Sequence, residues 1–166
     1  MSRILIIGPD GSGKDTLARL IRDQSDLRYP EPTSLTWARE VPAWQDGRDI
    51  KEWWTQRRQH REEWIDQALR LRMDGGSAAL ANICFQSADI YTGLRTQEEL
   101  LAVLAEVSIN LVVWCWNSGQ RTLHGIDMVP ELSAELTLST GTPWIVAQST
   151  IAGADRVMDL LTGGVL

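Results

Sequence analysis

Ile4-Leu5-Ile6-Ile7-Gly8-Pro9-Asp10-Gly11-Ser12-Gly13-Lys14-Asp15-Thr16-Leu17-Ala18 is the stretch on which the fold turns. Its four consecutive aliphatic residues read as a short strand buried on both faces, as strands of a parallel sheet are. From Lys14 the apolar positions Leu17, Ala18, Leu20 and Ile21 fall at helical spacing, and the polar run Arg22 to Asp26 marks the end of that helix. The loop between them satisfies G-x-x-x-x-G-K, with Thr16 one place beyond the usual hydroxyl. Glycines let backbone N–H groups converge on one point, the following helix presents its positive end there, and Lys14 adds a mobile cation. Strand, loop and helix in this order predict an anion cradle of the Walker A kind, with Gly8, Asp10, Gly11, Ser12, Gly13, Lys14, Asp15 and Thr16 as its contacts. A plain glycine-rich turn matches the same short pattern by chance, and the flanking strand and helix are what favour the cradle.

Downstream, Tyr29-Pro30-Glu31-Pro32 is a rigid connection, and Ser34 to Ala38 reads as a second strand. Asp49 to Met73 contains no Gly or Pro and is rich in Glu, Gln, Arg, Leu and Trp, which predicts one long helix closed by Gly75-Gly76, with Ser77 capping a short helix through Phe85. Ala88 to Leu94 reads as a third strand, and Thr96-Gln97-Glu98-Glu99 opens a capped helix. Asn110 to Trp116 and Pro143 to Ala147 read as strands four and five, and Gly153 to Leu161 as the last helix. Residues 117–142 are weakly patterned, with Gly119, Gly125, Pro130 and Gly141, and are expected to be mobile. Strands alternating with helices predict a three-layer α/β fold: a five-stranded parallel sheet with helices on both faces.

A chain of 166 residues, 43% hydrophobic, suits one domain spanning residues 1–166. The formal net charge of −6 argues against a broad non-specific DNA-binding surface. Cys84 and Cys115 match no metal or redox spacing and are expected as reduced, buried thiols. Only four apolar residues follow Arg3, too few for a signal sequence, and no later run approaches a membrane span, so a soluble, cytoplasmic protein without a membrane partner is expected. Five of the eight tryptophans fall between residues 37 and 64, which marks that region for ligand contacts.

Gly11-Ser12-Gly13-Lys14-Asp15-Thr16 with Leu17-Ala18 resembles the nucleoside monophosphate kinases, especially the deoxynucleoside monophosphate kinases typical of bacteriophages. Ile90-Tyr91-Thr92-Gly93-Leu94-Arg95, followed by Thr96-Gln97-Glu98-Glu99, looks like the family's strand ending in Asp-x-Arg. Ser34-Leu35-Thr36-Trp37-Ala38 with Pro42 is similar to its second-strand segment. The resemblance implies an adenylate-kinase-like P-loop kinase fold, ATP and Mg²⁺, and phosphorylation of a nucleoside monophosphate. It also implies a helical acceptor-binding segment at about 42–86 and a short lid region at about 117–142, where Arg121 would close over the triphosphate. Two departures stand out. Gly93 takes the place of the family's strand-end Asp, and Asp10 looks like the thymidylate kinase version, in which that Asp faces the acceptor sugar; a turn-forming role for Asp10 is the other reading. Asp15 stands where many such loops carry a Mg²⁺-binding hydroxyl. Asp15 and Thr16 are therefore the metal candidates, with metal held at them, through water, by substrate phosphates or by another carboxylate, and with complementing the helix dipole as the other reading of Asp15.

Phosphoryl transfer asks for positive charge in position more than for covalent chemistry, so arginines are the expected catalytic partners of Lys14. On a single long helix Trp53, Arg57, His60, Arg61, Trp64, Ala68 and Leu71 share one face, while Glu52, Gln59, Glu63 and Arg70 point away. Arg57 and Arg61 would then meet the acceptor phosphate while Trp53 or Trp64 stacks on its base, or both would pair with core carboxylates. Arg95, at the carboxyl end of a strand, is the expected phosphate contact, with capping or a salt bridge as the other reading. His60 and His124 read equally well as ordinary polar residues, and Gln148 to Thr150 as an ordinary strand-to-helix turn.

The leading expectation is an ATP-dependent kinase acting on a (deoxy)nucleoside monophosphate, with Lys14, Arg95, Asp10 and Arg121 at the reacting phosphates. A second is a P-loop kinase acting on a hydroxyl of a modified base in phage DNA, such as hydroxymethyluracil. That would make DNA a partner and Asp10 or Glu40 the base. A third is a nucleotide-binding regulator without turnover, motivated by Gly93. A homodimer is compatible with the sequence.

Overall fold

The computed structural model describes residues 2–44, 47, 49–117 and 126–163. Four strands, β1 (Ile4–Ile7), β2 (Ile90–Tyr91), β3 (Leu111–Trp116) and β4 (Trp144–Gln148), form one sheet in the order β2-β1-β3-β4. Every pairing is parallel, with Leu5 opposite Tyr91 and Val112, and Val113 opposite Ile145. The helices are α1 (Lys14–Asp23), α2 (Thr33–Ala38), α3 (Ile50–Thr55), α4 (Arg61–Gly75), α5 (Ala79–Cys84), α6 (Gln97–Glu106), α7 (Pro130–Ser139) and α8 (Ile151–Leu161).

Alternation along the strands divides the core into two clusters. Ile4 and Ile6 of β1, with Val113, Cys115, Ile145 and Ala147, face Leu17, Ala18 and Ile21 of α1 and Ala154 and Val157 of α8. Leu5, Ile7, Val112 and Trp114 face the other way, onto Leu35 and Trp37 of α2, Leu80 and Cys84 of α5, and Leu100 and Val103 of α6. All four β1 side chains are fully buried, which is why the strand reads as an unbroken apolar run. The result is three layers, helix–sheet–helix, as expected.

The strand number differs: four among the described residues, not five. Residues 33–38 form α2, because Pro32 stands at its N-cap with a carbonyl that accepts from Leu35 N at 2.9 Å and Thr36 N at 3.1 Å. Helical spacing then brings Leu35 and Ala38 together against the core.

The long helix expected over 49–73 is two helices. Asp49 caps α3 by accepting from Lys51 N and Glu52 N, and Arg57 closes it by donating from Nη1 to the Trp54 carbonyl at 3.0 Å. Trp53 stacks on His60 with ring centroids 3.9 Å apart. Seven residues of continuous helix rise about 10 Å, so this stack is made by a fold-back. The shared face on which Arg57 and Arg61 were expected together does not exist.

Smaller differences are local. β2 is two residues long where seven were expected, and Ser77 does not cap α5 but donates to Glu98 at 2.6 Å. The expected mobile stretch contains α7, begun by Pro130 in the first turn. Arg121 and His124 lie outside the described residues. The Thr96 capping box on α6 is present in full. No helix among the described residues is long and apolar enough to cross a membrane.

Candidate functional site

β1 runs between β2 and β3, so its carboxyl end opens among strand ends that all point the same way, where open parallel sheets receive ligands. Gly8 leaves the strand at φ +145°, and a Cβ there would run into the Cys115 carbonyl of β3. Gly13, at φ +87°, lies so close to Ser149 of the β4–α8 turn that it too has no room for a side chain. Only glycine meets both demands at either position. Ser12 N donates to Pro9 O at 3.2 Å, and Cys115 Sγ donates to Ser12 O at 3.2 Å, clasping the turn to β3. Burial pushes the Cys115 thiol up to about 11.

Two features of this loop ask for an anion. Ser12 Oγ is fully buried and has no hydrogen-bond partner among the described residues, an orphan of a kind folded proteins seldom tolerate. Lys14 is 8% exposed and folds back so that Nζ donates to Gly8 O at 2.7 Å and Pro9 O at 2.8 Å. Burial, and next the Arg95 charge, lower the Lys14 ammonium to about 8, with the Asp10 and Asp15 carboxylates opposing them. The charged form of Lys14 is thus under-compensated, and the ordinary remedy is negative charge.

Arg95 is held from behind. The Glu99 carboxylate accepts from Arg95 N at 2.7 Å and Thr96 N at 3.0 Å, and it pairs with Arg72 of α4. The Arg95 guanidinium forms an ion pair with Asp10, linking the end of β2 to the glycine loop. Arg95, Asp10 and Lys14, all singled out in the sequence, therefore come together.

A second network surrounds Asp15. Its Oδ1 accepts from Tyr29 OH at 2.7 Å and Thr92 Oγ1 at 2.8 Å. Thr92 N donates to Thr33 Oγ1 at 3.0 Å, and with the Thr92 proton committed to Asp15, Thr33 donates its own to Thr92 Oγ1 at 3.0 Å. Burial, and then Asp15, push the Tyr29 phenol up, so it remains a donor. Gly93 follows Thr92, and a Cβ on it would lie 2.9 Å from Tyr91 OH and 3.0 Å from the Thr33 methyl. A carboxylate does not fit at 93, and the one that reaches the end of β2 comes from Asp15 of α1.

Arg57 lies with its guanidinium 3.8 Å from the centroid of the Trp54 ring, and Trp54 Nε1 donates to Ser34 Oγ of α2 at 2.8 Å. Partial burial pushes the Arg57 guanidinium down, with the Asp15 charge opposing. Arg57 is thus in electrostatic reach of the loop. The other acceptor-side candidates are placed differently. Trp64 is buried in a cluster with Trp37 and Trp44, with ring centroids 5.3 and 4.5 Å away, and serves the core. Trp53 is committed to His60, and Arg61 and Glu40 are exposed outside the network around the loop. Thr16 is exposed on α1.

Tyr29, Thr33, Thr92, Trp54, Arg72 and Glu99 belong to the site's support; Thr92 and Glu99 lay in segments quoted as motifs without being singled out, and the other four carried no motif signal. The Pro-flanked 29–33 segment and the Thr-Gly pair at 92–93 were the traces available. No group of three or more His, Cys, Asp or Glu side chains among the described residues could hold a metal ion unaided. Scans of the chain against protein-family models, curated proteins and solved structures each return no match, so the assignment rests on the chemistry of these residues.

Proposed function

We propose that the chain is a P-loop, ATP-dependent phosphotransferase that converts a (deoxy)nucleoside monophosphate to the diphosphate. The observation that carries this reading is the Lys14 ammonium, buried at the end of β1 beside Arg95 and donating, among the described residues, only to two loop carbonyls.

A triphosphate entering the loop would take the N–H groups of residues 11, 13 and 14 and offer the Ser12 hydroxyl its missing partner. Lys14 would turn from the carbonyls of Gly8 and Pro9 to phosphate oxygens, a stronger charge-assisted contact. Arg95, anchored through Glu99, would stand against the transferring group, with Asp10 holding its guanidinium until the anion arrives. Arg57 would fix the acceptor phosphate from the opposite side. Because that acceptor is already an anion, no strong base is required. Magnesium, arriving with the triphosphate, would supply further charge neutralisation. The donor set suits a cation brought in this way: Asp15 Oδ1 is engaged by two hydroxyls while Oδ2 accepts no hydrogen bond among the described residues.

The test is transfer from labelled ATP with Mg²⁺ to a panel of nucleoside monophosphates, nucleosides and DNA containing hydroxymethylated bases. Transfer to a monophosphate is expected; transfer to DNA alone, or to nothing, overturns the reading. Lys14→Ala should abolish transfer with an unchanged circular dichroism spectrum. Arg57→Ala should raise the acceptor KM by about tenfold or more and leave that for ATP nearly unchanged.

A further inference from the structure

α4 has two apolar faces, and the fold uses one. Trp64, Ala68 and Leu71 pack on the core. Ile65, Leu69 and Met73, at i, i+4 and i+8, form a stripe about 12 Å long. They are 47%, 47% and 84% exposed. A single exposed leucine needs no account, but three on one line do.

The charges beside the stripe identify what covers it. Asp66 and Arg70 are both exposed on one edge, at the i, i+4 spacing that favours a pair, yet neither makes an ion pair or hydrogen bond among the described residues. The arrangement complements itself on reversal. With a second α4 laid antiparallel about a twofold axis at Leu69, Leu69 meets its own copy and Ile65 meets Met73 at both ends. Asp66 then lies about two residues, or 3 Å, from register with Arg70 of the second copy, within reach of an arginine side chain. Symmetry repeats the pair on the same edge of the seam, with the two Arg70 side chains adjacent across the axis and each flanked by an Asp66 of the other copy.

We propose that α4 is the contact helix of a homodimer of this chain, in which two Ile65–Leu69–Met73 stripes pack antiparallel beside reciprocal Asp66–Arg70 pairs on one edge. The contact does not depend on phosphotransfer, so the two proposals fail separately.

Sedimentation velocity of the full chain from about 1 to about 300 μM tests it, the range in which a contact of this modest size associates. A concentration-dependent dimer is expected. Leu69→Asp should give monomer throughout that range with an unchanged circular dichroism spectrum, since about half of the side chain is exposed in the monomer. Arg70→Asp, which sets like charges opposite each other twice, should weaken dimerisation about tenfold. The double exchange Asp66→Arg/Arg70→Asp should restore it to within about threefold of the original, because only the sense of each pair is reversed. Monomer at every concentration overturns the proposal, as does a dimer indifferent to Leu69→Asp. Failure of the double exchange to restore a dimer weakened by Arg70→Asp overturns the antiparallel arrangement.

Discussion

Lys14 shows how one residue joins stability to binding. In the unfolded chain its ammonium loses a proton near 10.5, and in the folded loop near 8. Between those pH values the unfolded state holds the extra proton, so stability should rise with pH across the window. The unfavourable burial of the charge is fully present below pH 8 and gone above 10.5, a span worth about 3 kcal/mol. Cys115, raised to about 11, and Cys84, raised to about 12, oppose this at the alkaline end, because their folded forms keep protons that the unfolded chain releases. The measurement is therefore a difference: urea unfolding of the native chain and of Lys14→Met at pH 8 and 10.5, with the variant losing the alkaline gain. At this scale Gly8, Gly13 and Lys14 were legible in the sequence, because a loop that must avoid the Cys115 carbonyl and present a cation tolerates few alternatives. The partners of Asp15 were not, because Tyr29 and Thr92 reach it from 14 and 77 positions away.

At the scale of elements, helix ends written in adjacent residues were readable and elements made by remote packing were not. The Thr96–Glu99 box is local, and α6 begins where the sequence places it. Residues 33–38 look extended by composition, yet Pro32 starts a turn that the core completes as α2. The same limit hid Glu99's second task. Its carboxylate caps α6, steadies the Arg95 backbone and neutralises Arg72 of α4, whose side chain is 23% exposed. Glu99→Ala should cost about 2 kcal/mol, since it removes the α6 cap and leaves the half-buried Arg72 without its counter-charge. Glu99→Ala combined with Arg72→Met should recover part of that, and a double variant no more stable than Glu99→Ala would show that the cost lies in the cap alone. Both comparisons are read from urea midpoints.

Across the whole molecule, alternation of strands and helices foretold the layers, but the order β2-β1-β3-β4 is a property of pairing between distant segments. That order brings the ends of β1 and β2 together, and with them Asp10, Lys14 and Arg95. The tryptophan-rich region was read as ligand-facing because bulky aromatics suit bases. Most of its indoles instead fill the side of the core that faces α2, where their large apolar area stabilises most. Trp54 is the exception, with Arg57 lying 3.8 Å from its ring centroid. An anion that draws this guanidinium off the ring alters the surroundings of one chromophore, while Trp37, Trp44 and Trp64 stay enclosed. The protein thus carries its own optical gauge: a nucleoside monophosphate should change the tryptophan emission, and Trp54→Phe should silence that change.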